Sequence, residues 1–112
     1  MERGEVWWAR LPKPIASEPG FNRPVVIVQS DTFNRSVIRT AIAVVVTTNL
    51  RLADSPGNVL LPRDESSLSE DSVANVSQVI TVDRTFLTKK CGRLPPHLMS
   101  AIDEGLRLVL SL

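Results

Sequence analysis

Apolar residues along this chain come first in short β-branched runs and only at the end in a helical stripe. Glu5–Arg10 reads as a first strand whose paired tryptophans, Trp7 and Trp8, point to opposite faces. One of them is therefore expected in the core and the other partly exposed. Pro24–Gln29 is almost wholly β-branched, which predicts a central strand buried on both sides. Ile38–Thr48 is the longest apolar stretch. Its length also suits a helix, but five β-branched residues in succession, Val44–Thr48, favour a second buried strand. Shorter strands are expected at Asn58–Leu61, Ser72–Val76, Gln78–Val82 and Thr88–Cys91.

Between these runs the chain is polar. Leu11–Asn22 holds three prolines and one glycine and is expected to be a loop. Ser30–Ser36 fits a short helical turn capped by Asp31. Leu50–Gly57 is a loop closed by Ser-Pro-Gly, Arg63–Asp71 an acidic connector, and Asp83–Leu87 one helical turn. From Pro95 to Leu112 the period changes. Leu98, Ile102, Leu106, Val109 and Leu110 form one apolar stripe, and proline suits the first turn. Gly105 inside that helix costs ~1 kcal/mol relative to alanine, so close approach to another backbone is one reason for it, a tolerated weak point the other. The expected fold is a single domain over 1–112, mostly β, with twisted antiparallel strands curling into a barrel and a C-terminal helix packed across them.

Composition narrows the chemistry. One cysteine, Cys91, allows no internal disulfide and no cysteine zinc cage, which fits a reducing cytoplasm. The first ten residues carry four charges, unlike a signal peptide, and no apolar run approaches the ~20 residues of a membrane span. The net charge of +1 is unevenly spread. Residues 1–63 carry eight bases and five acids, residues 64–83 five acids alone, and residues 84–112 five bases and two acids. Ten of the 13 bases are arginine, the residue suited to forked phosphate contacts.

A histidine acid–base pair is impossible, because His97 is the single histidine. It follows two prolines at a helix start, where a structural or surface role is expected. Spacings that bind zinc and glycine loops that cradle phosphate are absent. Asp64-Glu65 and Glu70-Asp71 are expected to be solvated surface rather than a magnesium site. Any enzyme here would work without metal, cofactor or histidine pair. What remains is Arg23 at the start of one buried strand, hydroxyls ending another at Val46-Thr47-Thr48-Asn49, and Glu18 in the intervening loop. Together they could hold and strain a phosphodiester. A plain ion pair between Arg23 and Glu18 is the bland alternative.

These residues carry a resemblance. Arg3-Gly4-Glu5-Val6-Trp7-Trp8, Ser17-Glu18, Arg23-Pro24-Val25-Val26-Ile27-Val28-Gln29-Ser30-Asp31, Ala43–Thr48, Asp71-Ser72-Val73, Gln78–Asp83 and Gly92-Arg93-Leu94 occur in order along the whole chain. The set resembles the MazF/PemK toxins of bacterial toxin–antitoxin systems. The resemblance implies a small SH3-like barrel of the CcdB/PemK kind and a cytoplasmic homodimer blocked by a cognate antitoxin protein. It also implies metal-independent cleavage of single-stranded RNA at short sequences, by 2′-hydroxyl attack. It makes Arg23 and Thr47 the expected catalytic pair and Glu18 the loop partner or acid–base group, with the general base unassigned. Thr47 and Thr48 point to opposite faces of a strand, so one of them faces the site, and Thr47 is the expected one. Phe21 is the leading candidate for base stacking. Lys13, Ser17, Asn34, Thr48 and Gln78 are further candidate RNA contacts. A gyrase poison of the CcdB kind, or a binding module without chemistry on the same fold, is the alternative.

Overall fold

The computed structural model describes residues 1–11 and 22–112. Among the described residues six strands form one antiparallel sheet: β1 (Glu5–Arg10), β2 (Asn22–Ile27), β3 (Thr40–Thr47), β4 (Val59–Leu61), β5 (Ser72–Asp83) and β6 (Leu87–Arg93). Their order across the sheet is β4-β5-β3-β2-β1-β6. The sheet curls into a half-barrel, and helix α3 (Pro96–Leu110) packs beside β4 and β5. Two single-turn helices, α1 (Asp31–Asn34) and α2 (Arg63–Ser66), and 3₁₀ turns at Leu50–Asp54 and Arg84–Phe86 fill the connections.

The β-branched runs become the central strands because both faces are buried. On one face Val6, Val26, Val44, Val46, Leu61 and Ala74 meet Leu94, Leu98 and Ile102. On the other, Ala9, Leu11, Val25, Ile27, Ala41, Ala43 and Val82 form a second cluster. Burial on both faces removes the hydrophobic/polar alternation that a one-sided strand would show.

Three expectations need correction. Ser72–Val76 and Gln78–Val82 belong to one strand, β5. Its pairing with β3 jumps from Val44↔Val79 to Val45↔Asn75, leaving residues 76–78 bulged out. A bulge bends a strand and raises its twist, and β5 pairs with β3 on one side and with the edge strand β4 on the other. Asn75 Nδ2 donates to Gln78 Oε1 across the bulge (3.0 Å), and Val76 N donates to Asn58 Oδ1 (2.9 Å). The cap of α1 is Ser30, whose hydroxyl accepts from Thr32 N; Asp31 Oδ1 instead accepts from Arg3 N (2.7 Å). The helical stripe stays packed only through Leu106, leaving Val109 and Leu110 exposed, because α3 runs out past the sheet.

The N-terminal strand is fixed by a buried carboxylate. The Glu5 side chain is 5% exposed, with Oε2 at 2.9 Å from Lys90 Nζ and 3.6 Å from Arg93. Its Oε1 accepts from Trp7 Nε1 and Glu2 N, both at 2.9 Å. Burial alone would push this carboxyl up. The hydrogen bonds from Trp7, Lys90 and Glu2 outweigh it and hold the pKa below the ordinary 4.5. A folded-state pKa below the unfolded one stabilises the fold above the ordinary value, and this is lost as pH falls through the folded value. Glu5→Gln is therefore expected to lower stability at neutral pH by about 1–2 kcal/mol and to flatten the loss of stability below pH 4.5. Urea unfolding at neutral and acid pH checks both.

Candidate active site

Two central strands place the candidate pair. β2 and β3 pair through Val25↔Val45, Val26↔Val44 and Ile27↔Ala43. Arg23 and Thr47 lie just beyond the last of these pairs, at the start of β2 and the end of β3. On their other sides Ala9 of β1 pairs with Arg23, and Val73 of β5 pairs with Thr47. A guanidinium and a hydroxyl more than twenty residues apart in sequence thus line the same cleft. Ala9 on the flanking strand is small and leaves Arg23 room.

Both groups are partly or fully withdrawn from water. Thr47 is 2% exposed, and its Oγ1 accepts from Asn49 N at 3.1 Å, which orients the hydroxyl at the strand end. Arg23 is half-buried, and that desolvation lowers its pKa from the ordinary arginine value. The group stays a cation at neutral pH, but one with less water to displace when an anion arrives.

Arg23 and Thr47 line one cleft together with Trp8, Asn22, Pro24, Val46, Thr48, Leu68, Ser69, Glu70 and Ser72. It lies where β2 begins and β3 ends. Thr48, Ser69 and Glu70 also border a second, more polar depression with Leu50, Arg63 and Asp71. The structure thus brings Arg23, Thr47 and Thr48 together. Lys13, Ser17, Glu18 and Phe21 lie outside the described residues.

Asn34 and Gln78 sit elsewhere. Asn34 follows the far end of β2 and is buried, with its amide wholly engaged: Nδ2 donates to Gln29 O and Asp31 Oδ1, and Oδ1 accepts from Gln29 Nε2, all at 2.9 Å. It locks the α1 turn to the end of β2. Gln78 lies in the β5 bulge and accepts from Asn75. His97 is on the surface, with Nε2 at 2.9 Å from Glu65 Oε1. Trp8 and Glu70 are cleft residues that sequence reasoning missed as site members. Strand alternation put one tryptophan at the surface, but nothing in the sequence showed that Trp8 would end beside Arg23.

Comparison with known proteins identifies the family. Residues 2–110 match the sequence profile of the PemK-like, MazF-like toxin of type II toxin–antitoxin system. Endoribonuclease MazF6 of Mycobacterium tuberculosis (strain ATCC 25618 / H37Rv) is 46% identical over 112 residues, covering all of this chain and 98% of its own length. Endoribonuclease EndoA of Bacillus subtilis (strain 168) is 34% identical over 112 residues, covering 100% and 96%. Among solved structures, an endoribonuclease in complex with its cognate antitoxin from Mycobacterial species superposes with a TM-score of 0.83 at 24% identity, covering 100% of this chain and 96% of that one. MazF (Form-I) from Deinococcus radiodurans gives 0.80 at 19% identity, covering 100% and 97%. At such identities the structural matches establish the fold, a small curled β-sheet with a C-terminal helix. The profile spans nearly the whole chain and the sequence relatives span all of it, so this chain belongs to the PemK-like, MazF-like toxins of type II toxin–antitoxin systems.

Proposed function

We propose that this protein is a metal-independent endoribonuclease toxin that cleaves single-stranded RNA and is held in check by a cognate antitoxin. The observation that carries the reading is the presence of Arg23 and Thr47 in the lining of one cleft, at the start of β2 and the end of β3. RNA carries its own nucleophile, the 2′-hydroxyl. Its oxygen forms a bond to phosphorus while the bond from phosphorus to the 5′-oxygen breaks. The 2′ proton passes to a base, and a proton reaches the departing oxygen. The products are a 2′,3′-cyclic phosphate and a 5′-hydroxyl.

In this scheme the Arg23 fork pairs with two phosphate oxygens and neutralises the charge that grows on them, the part a metal cation plays elsewhere. The Thr47 hydroxyl adds a hydrogen bond to the same group. The lowered pKa of Arg23 also makes it a better proton donor to the leaving oxygen than an exposed arginine. Glu18 is the candidate base, and a two-fold dimer would set two such clefts along one strand of RNA.

Purified protein incubated with long single-stranded RNA in EDTA is expected to give defined fragments ending in 5′-hydroxyls. RNA left intact, alongside stalled gyrase–DNA complexes, would favour a gyrase poison instead. A second test separates the two threonines. Thr47→Val keeps the β-branched shape and the buried packing but removes the hydroxyl, and is expected to lower kcat about a hundred-fold. Thr48→Val is expected to lower it less than about ten-fold, because Thr48 lies past the last paired residue of β3. Equal losses in the two variants would overturn the assignment of Thr47.

A further inference from the structure

The cleft that holds Arg23 and Thr47 is also lined by groups of different chemistry. Trp8, Pro24 and Leu68 give it apolar walls, while Glu70 and Ser69 bring polar groups to its edge. Trp8 is 37% exposed, an unusual state for the largest apolar side chain, and it lies one strand away from Arg23. Glu70 is exposed and makes no hydrogen bond or ion pair through its carboxylate among the described residues. Its backbone carbonyl accepts from Ser72 Oγ at 3.0 Å, which fixes the backbone at this position just ahead of β5.

We infer that this part of the cleft lining is a nucleobase pocket, in which the base next to the cleaved phosphate packs against Trp8 and presents an amino edge to Glu70. The inference rests on the endoribonuclease reading above. Aromatic faces hold single-stranded bases with little regard to sequence, so Trp8 would supply affinity. An ionised carboxylate only accepts hydrogen bonds, so Glu70 would supply selection. Guanine, with two adjacent N–H donors on its Watson–Crick edge, fits best. Cytosine and adenine offer one amino donor. Uracil presents carbonyl oxygens on either side of its N3–H and is repelled. Charge points the same way. A carboxylate beside the path of a polyanion opposes binding through simple repulsion, so its place at this cleft is explained when it takes a proton donor from the base.

The test is the map of cut sites on a random-sequence single-stranded RNA pool, read by sequencing the fragments' 5′ ends. The wild type is expected to disfavour uracil at one fixed offset from the cut. Glu70→Gln, which offers an amide donor to a carbonyl oxygen, is expected to admit uracil there with roughly a ten-fold change in preference, leaving other positions as they were. Glu70→Ala is expected to relax that one position. Trp8→Ala is expected to raise KM about ten-fold or more at every sequence, and Trp8→Phe, which keeps a smaller aromatic face, to recover part of that loss. A wild type that cuts, with Glu70 variants that keep its site preferences and merely speed up uniformly, would show the carboxylate to be solvated surface and overturn the pocket. A wild type that cuts nothing would overturn the nuclease reading itself, so the two failures are separable.

Discussion

Arg23→Ala is expected to lower kcat/KM for RNA cleavage about a thousand-fold while the protein stays folded and keeps its RNA affinity within about ten-fold. The magnitude follows from where the charge sits. Removing one preorganised donor at a developing oxyanion costs about a hundred- to a thousand-fold, and Arg23 offers two donors and a full charge from a half-buried position. Water that fills the gap left by alanine is not preorganised and restores little. Arg23→Lys keeps the charge but loses the fork, and is expected to recover no more than about a tenth of the activity. The fold survives because Arg23 stands at the beginning of β2, before the run from Pro24 to Ile27 that is buried on both faces. Single-turnover kinetics with circular dichroism on each variant checks the claim. An alanine variant that cuts at the wild-type rate would remove Arg23 from the chemistry, and a fully active lysine variant would reduce its part to a point charge.

The strands that carry this pair were legible in the sequence because burial on both faces left a plain signature. Pro24–Ile27 and Val44–Thr47 are runs with hardly a polar interruption, and no amphipathic helix has that pattern. The helix was legible from Leu98 and Ile102 and from the prolines at its start. Features made by distant partners were not. Ser77 looked like a break between two strands, but it sits in a bulge held by Asn58 from another segment. Asn34 has the chemistry of an RNA contact and spends it on Gln29 and Asp31. Trp8 and Glu70 border the same cleft although 61 intervening residues separate them, and no local pattern encodes that meeting. The strand ends already suggested Arg23 with the Thr47-Thr48 hydroxyls, and the family resemblance singled out Thr47. The physical cause of their meeting, the pairing of β2 with β3 that brings both strand ends to one cleft, has no local signature.

Gly105→Ala is expected to destabilise the protein by about 2–3 kcal/mol, against the ~1 kcal/mol gain that helix propensity alone would give. The sign is decided by contact. A Cβ at position 105 would overlap the carbonyl oxygen of Gly57 and come within 3.1 Å of Val76 Cγ1. Neither partner gives way easily. Gly57 has φ +83°, a conformation that L side chains rarely adopt, and its own added Cβ would lie 3.1 Å from Gly105 Cα and O. Val76 is buried, and its N–H is tied to Asn58. Two glycines are thus needed for α3 to reach the turn that leads into β4. That turn also governs the site, because β4 pairs with β5 through Leu61↔Ser72, and Ser72 lines the cleft. For a domain of this size the expected fall in Tm is roughly 10 °C. Gly57→Ala should cost a similar amount, and the double variant less than the sum, since both methyl groups compete for one gap. Thermal unfolding of the three variants measures this directly. A Gly105→Ala protein that melts higher than the wild type would mean that the helix does not touch the turn, and that its glycine is only a weak point in an otherwise ordinary helix.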